Sequence, residues 1–309
     1  MGVFIGLGLV LLAMLGIYRW LLARRTAPLP RAGLHAEIYP VGDGWIIRRP
    51  ATDPLASVVV MHGFLENPLY FSHYYQDPRI ELIMICSTGY QLPIASDHYP
   101  AIPWSSTRLH PTGTIAADAQ LINLALGHLI SSQQLRVHGH SRGGAVILEA
   151  ARQRPDLFNS AEVVLEAPVL PQGKPYRHQP GFIRWLLPLV HLLWQRKPEA
   201  ALASPLWGPM GSHKRELILA MPFNPVSSRV LLTNLRDLLG WMRDTGTDIY
   251  RHVQRGAVLV PARDRVLHSS AMLDSARQAE NLQIIEVPEG SHFVLLDNPE
   301  AIPPLIRNP

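Results

Sequence analysis

Two rhythms of apolar and polar positions alternate along this chain. Leu34–Val41 and Gly44–Pro50 read as an opening hairpin. "SVVVMHGF" (Ser57–Phe64) and "ELIMICST" (Glu81–Thr88) are short, β-branched and almost continuously apolar, the pattern of strands buried on both faces. Between Thr114 and Ser131 the apolar positions fall at helical spacing behind a Thr-x-x-x-Asp start. Then come a short strand pattern, Leu135–Ser141, and a helix from Arg142 that must end before Pro155. Ala161–Leu170, Ala257–Asp264 and Leu282–Phe293 repeat the buried-strand pattern, with a helix predicted from His268 to Glu280. Strand and helix in alternation predict an α/β protein built on a doubly wound, mostly parallel sheet.

The first residues follow neither rhythm. Gly2–Ala23 is apolar throughout except for Arg19. As a helix rising about 1.5 Å per residue it is long enough for a hydrocarbon core of about 30 Å. No basic stretch precedes it and no small-x-small site precedes Arg24 and Arg25, so a transmembrane anchor is expected in preference to a cleaved signal. Tyr18 and Trp20 suit the interface, and Arg24, Arg25 and Arg31 lie only on the C-terminal side. The positive-inside rule then favours a single-pass protein with its main domain in the cytoplasm, the periplasmic side remaining open. Residues 24–33 read as a linker and 34–309 as the folded domain.

Composition narrows the partners. A formal charge of +4 comes from dispersed arginines without a basic stripe, so a membrane surface is expected and nucleic acid is not. Cys86 is the only cysteine, which excludes an internal disulfide and a cysteine-rich metal site, and it reads as buried packing. No cofactor or metal is expected. A homodimer is left open.

The candidate chemistry lies in "RVHGHSRGGAV" (Arg136–Val146). A strand, then Gly139-His140-Ser141-Arg142-Gly143, then a helix matches the G-x-S-x-G elbow. There a tight turn presents the serine at a helix N-terminus, and glycines make room for the turn. From about Ala51 onward the chain resembles an α/β-hydrolase-fold serine hydrolase, with four motifs in that family's order. His62-Gly63-Phe64 resembles the oxyanion loop, and the elbow supplies Ser141. "VLVPARDRV" places Asp264 after a late strand, and "EGSHFVL" places His292 after the last one. The resemblance implies Ser141 as nucleophile, His292 as general base, Asp264 as the acid that orients it, and the N–H groups of Phe64 and Arg142 as the oxyanion hole.

Several residues carry a second reading. Glu166, after the strand that follows the serine, is the rival acid. His62, His138 and His140 lie near the serine but read as packing or surface residues. The Arg142 side chain reads as solvated or salt-bridged, with contact to an anionic substrate group as the alternative. The closing "NPEAIPPLIRNP" implies a short, proline-interrupted last helix.

Residues from about 171 to 255 form an insertion where this family places a cap. Gly181–Lys197 is densely apolar, and the segment around Ser228–Asp244 is amphipathic with leucines at helical spacing. Either they cover an apolar pocket or they simply pack on the core. Trp185 and Leu186 are the expected substrate contacts. With the anchor, this favours an ester substrate with a long acyl chain: a lysophospholipid, phospholipid or acylglycerol. Action on a small soluble ester or thioester, acyl transfer, and a catalytically dead binding protein on the same scaffold are the alternatives.

Overall fold

The expected alternation forms one eight-stranded sheet in the computed structural model, which describes residues 2–23, 31–105, 110–177, 186–221 and 224–305. The strands are β2 (Glu37–Val41), β3 (Gly44–Arg49), β4 (Ala56–Met61), β5 (Ile80–Cys86), β7 (Leu135–His140), β8 (Glu162–Glu166), β9 (Gly256–Pro261) and β10 (Leu282–Val287). They lie in the order β10-β9-β8-β7-β4-β5-β3-β2. β3 is antiparallel to both its neighbours and every other pairing is parallel, so β3 alone runs against the rest. The predicted hairpin is β2–β3.

Alternation along the strands supplies two cores. Val59, Met61, Ile83 and Ile85 face one layer with helices α2 (Ile115–His128) and α3 (Arg142–Gln153). Val58, Val60, Leu82 and Met84 face the other, with Tyr70, Phe71, Tyr75 and Phe293. Successive side chains point to opposite faces, so a strand covered on both sides must be apolar at every position. β4 is buried at all of its positions.

Local signals set the helix boundaries. The Thr114 hydroxyl accepts the Ala117 N–H at 3.2 Å and Asp118 lies in the first turn, as the Thr-x-x-x-Asp start requires. α3 stops at Gln153, before Pro155 opens a 3-10 turn. The last elements are short: α9 (Val294–Asp297) and a turn at Pro299–Ala301.

Two features refine the expectations. The end of the linker pairs as strand: β1 (Ala32–Gly33) lies parallel to β6 (Ile94–Ala95). Between β8 and β9 the described chain is largely helical, with α4 (Leu187–Arg196), α5 (Glu199–Leu202), α6 (Ser212–Leu219) and α7 (Ser228–Asp244); α8 (Ser269–Ala276) follows β9. On α7 the residues Leu231, Asn234, Leu238 and Met242 are buried at helical spacing, and Asp237 accepts the Ile115 N–H at 2.6 Å. The insertion is thereby tied to the N-terminus of α2.

α1 (Gly2–Ala23) is the predicted apolar helix, and Phe4–Ala23 is long and apolar enough to cross a membrane. Almost all of it stands out from the protein; Leu21 near its end is buried, where the helix packs on α4 and the turn at Pro225–Ser227.

Candidate active site

Strand order places the site. After β4 the chain moves to β5 on one side and then returns to β7 on the other, so the loops leaving β4 and β7 flank a crevice at the C-terminal edge of the sheet. The loop after β4 carries Gly63-Phe64 and the one after β7 carries Ser141. The loops leaving β9 and β10 carry Asp264 and His292 on the same edge.

Ser141 is buried and joins β7 to α3 with φ 52° and ψ −118°, a strained backbone for a residue with a side chain. The turn closes through bonds from Gly144 N–H and Val169 N–H to the Ser141 carbonyl, at 3.0 and 2.9 Å. Both elbow glycines are required by contact. A Cβ on Gly139 would lie 2.6 Å from the Gly143 carbonyl oxygen, and one on Gly143 would lie 2.1 Å from that of Met61. The serine thus turns tightly because α3 starts almost against the end of β4.

His292 and Asp264 are brought together. Their Nδ1 and Oδ2 atoms are 2.7 Å apart and both residues are buried. The other oxygen, Oδ1, accepts the N–H groups of Val266 and Leu267 at 2.7 and 2.9 Å, which fixes the carboxylate in its own turn. The rival acid is engaged elsewhere. Glu166 Oε1 accepts the Tyr70 hydroxyl at 2.6 Å and the Leu295 N–H at 2.7 Å, and Oε2 lies 3.4 Å from His138 Nε2.

The Arg142 side chain turns away into a buried ion pair with Asp118 on α2, Nη1 to Oδ2 at 2.6 Å. Thr88 donates its N–H and hydroxyl to the other Asp118 oxygen at 2.8 and 3.0 Å. Of the readings for this side chain, the geometry supports the salt-bridged one, with the guanidinium fully buried. Its backbone N–H stays at the first turn of α3, where amides lack helical partners.

The nearby histidines are buried, as a packing reading requires, but His140 does more than fill space. Its Nδ1 lies 2.8 Å from Glu66 Oε2, and its Nε2 lies 2.9 Å from the carbonyl oxygen of His292. Tyr70 stacks on the ring at 4.5 Å between centroids. Burial acts to depress the imidazole, but Glu66 and Glu166, with the hydrogen bonds the ring donates to Glu66 and to the His292 carbonyl, outweigh it and raise its pKa to about 9. His62 and His138 are depressed by burial, only partly offset by their acidic neighbours. Sequence reasoning missed Glu66 and Tyr70. The one available signal was a carboxylate three residues beyond Gly63, too common a pattern to single out.

Leu186 caps α4 and is exposed, whereas Trp185 lies outside the described residues. Among the described residues, no three His, Cys, Asp or Glu side chains are grouped to hold a metal ion.

A family model described as the alpha/beta hydrolase family matches residues 58–302. No curated protein matches the sequence. Among solved structures, the chain is similar to an N-formylmaleamic acid deformylase from Pseudomonas putida S16. The TM-score is 0.61 at 15% identity, covering 86% of this chain and 97% of that one. A thermophilic esterase from Thermogutta terrifontis matches with TM-score 0.57 at 17% identity, covering 86% and 94%. An N-acyl homoserine lactonase matches with TM-score 0.57 at 14% identity, covering 86% and 93%. At such identities the likeness concerns the fold.

Proposed function

Because the chain belongs to the alpha/beta hydrolase family, we propose that it is a membrane-anchored serine hydrolase cleaving carboxylic esters of lipids. The observation that carries the chemistry is the 2.7 Å contact between His292 Nδ1 and Asp264 Oδ2, on the sheet edge where the strained turn presents Ser141. With Nδ1 committed to Asp264, Nε2 is the nitrogen left to act as base. A serine hydroxyl is a weak nucleophile at neutral pH, so His292 takes its proton as Oγ attacks the ester carbonyl. The N–H groups of Phe64 and Arg142 receive the developing oxyanion, helped by the positive end of α3. The alcohol leaves with the proton held by His292. Water then attacks the acyl-enzyme by the same route in reverse, and Asp264 stabilises the imidazolium in both halves.

Lipid as the substrate is supported by the surface outside the site. Almost the whole of α1 is exposed apolar surface, which water disfavours and a bilayer accepts. Its C-terminal end packs on α4, where Leu186, Leu189 and Leu193 are 38%, 46% and 58% exposed. These leucines repeat at helical spacing, so the insertion presents an apolar face next to the anchor. A substrate drawn from the membrane would meet this face first. In this reading the arginines that follow α1, weighed by the positive-inside rule, favour a catalytic domain on the cytoplasmic side.

A second reading, a small soluble ester as substrate, takes its support from the esterase among the fold neighbours. Hydrolysis of p-nitrophenyl esters from acetate to palmitate, beside a lysophosphatidylcholine series, separates the two. Each buried methylene contributes about 0.8 kcal/mol, so lipid recognition predicts kcat/KM rising by up to roughly fourfold per carbon through the medium chains. Fastest turnover of acetate or butyrate would select the small-ester reading.

A further inference from the structure

His140 and Glu66 join three segments of the proposed site. Glu66 Oε2 accepts the N–H of Gly63, the residue before the oxyanion donor Phe64, at 2.8 Å. The same oxygen faces His140 Nδ1 at 2.8 Å, and His140 is the residue before Ser141. His140 Nε2 reaches the backbone carbonyl of His292 at 2.9 Å. A carbonyl oxygen only accepts, so Nε2 must carry a proton; Nδ1 faces an oxygen that is already an acceptor from Gly63. Two protons on the ring and a charge on the carboxylate satisfy every atom in the chain of contacts. A Cβ on Gly63 would lie 2.8 Å from both Glu66 oxygens, so the carboxylate packs directly on the oxyanion loop. His140 is fully buried and Glu66 nearly so, which removes the competition from water that makes surface pairs weak.

We infer that Glu66 and His140 are a positioning pair for the Ser141 hydrolase, a buried charged bridge holding the oxyanion loop and the His292 loop in mutual register. The inference rests on the catalytic reading above. Neither residue touches the reacting atoms. The pair acts on geometry, since displacement of about 1 Å in the donor or the base is costly in rate.

The groups that face the His140 ring are Glu66 from the loop after β4, Tyr70 from the turn that follows, Glu166 from β8, His138 from its own strand, and His292 and Phe293 from the loop after β10. Lys214 lies one layer out, 4.7 Å from the Phe293 ring centre and paired with Asp297 at 2.8 Å. Glu66→Gln keeps an acceptor for Gly63 but removes the charge that holds the second proton on His140. The ring then loses one tether as pH rises, which a merely space-filling role would not produce.

The test is the rate at which a fluorophosphonate labels Ser141 in the full-length protein in detergent, followed from pH 6 to 10. Wild type should hold its rate until about pH 9, the pKa to which His140 is raised. Glu66→Gln should label roughly 10- to 100-fold more slowly at pH 8, with its alkaline fall-off moved to lower pH and its half-saturating probe concentration little changed. A wild-type rate and profile in a folded Glu66→Gln would overturn the inference. So that the result does not depend on a variant folding, 15N-histidine NMR of the wild type should show both His140 ring nitrogens protonated at pH 8, the signal being assigned by its loss in His140→Asn. A singly protonated ring would also overturn it. Labelling that persists in Ser141→Ala would remove the hydrolase reading itself, a different failure from a Glu66→Gln that matches a Ser141-dependent wild type.

Discussion

His292 and Asp264 are 28 residues apart in sequence and 2.7 Å apart in the fold, Nδ1 to Oδ2. Two backbone N–H groups already hold the other carboxylate oxygen. The aspartate is therefore aimed by its own loop. Replacing Asp264 with Asn puts a donor or a neutral oxygen opposite Nδ1 and allows the wrong tautomer. Steady-state kinetics should show kcat lower by roughly 10³-fold or more with the fold intact. Glu166→Gln should instead cost about 1–3 kcal/mol of stability through Tyr70 and Leu295, with kcat within about tenfold of wild type. The opposite pattern would make Glu166 the acid.

Arg142 separates backbone from side chain at one residue. Its amide is the proposed oxyanion donor, while its guanidinium neutralises buried Asp118. Arg142→Ala leaves that carboxylate without its cation, and urea denaturation should show a loss of about 3–5 kcal/mol. Below the unfolding transition, fluorophosphonate labelling should stay within about threefold of wild type, because the donated N–H is unchanged. A large loss of rate in fully folded protein would assign the side chain a role in the reaction.

How much of this was legible in sequence depended on how local each cause is. The strands were, because burial on both faces demands apolar residues at successive positions, as in Ala56–Met61. So was the elbow: the approach of α3 to β4 leaves no space for a Cβ at Gly143, and that leaves a written trace. Asp264 and His292 were readable only through the family resemblance, by their order after the late strands. The Glu66–His140 bridge was not readable at all. It joins residues 74 apart, and a histidine beside a serine looks the same whether it fills a core or carries a charge. Arg142 was ambiguous for the same reason, since Asp118 lies 24 residues away on another helix.

The insertion carries a pH-dependent contact. His191 on α4 is buried with Nδ1 at 2.9 Å from the Ser228 hydroxyl on α7. Burial lowers its pKa from 6.5 to about 4, outweighing the hydrogen bond it donates to the backbone of Asn224. A histidine depressed in the fold contributes stability that is present above about pH 6.5 and is lost as pH falls towards about 4. Thermal unfolding between pH 7 and 4 should therefore weaken more steeply in wild type than in His191→Gln. Identical slopes would mean that His191 is not held neutral by the α4–α7 contact.

The anchor reading makes a separate demand. Full-length protein should remain in the membrane pellet through carbonate and high-salt washes, and a chain beginning at Leu29 should be largely soluble. Substituting Leu189 and Leu193 with serine in that shortened chain should reduce its residual binding to phosphatidylcholine vesicles, since each leucine buries about 1.5–3 kcal/mol of apolar surface. Release of the full-length protein by salt, or a mature N-terminus beyond residue 23, would contradict a spanning helix.

The central claim is that the strained turn at Ser141 makes this serine the covalent nucleophile. The direct measurement is intact-mass and peptide mass spectrometry after exposure to a fluorophosphonate. One adduct per chain is predicted, on the peptide containing Ser141 in wild type, slowed strongly in His292→Ala and absent from a folded Ser141→Ala. An adduct of equal extent in Ser141→Ala, or none in a folded wild type, would contradict the account.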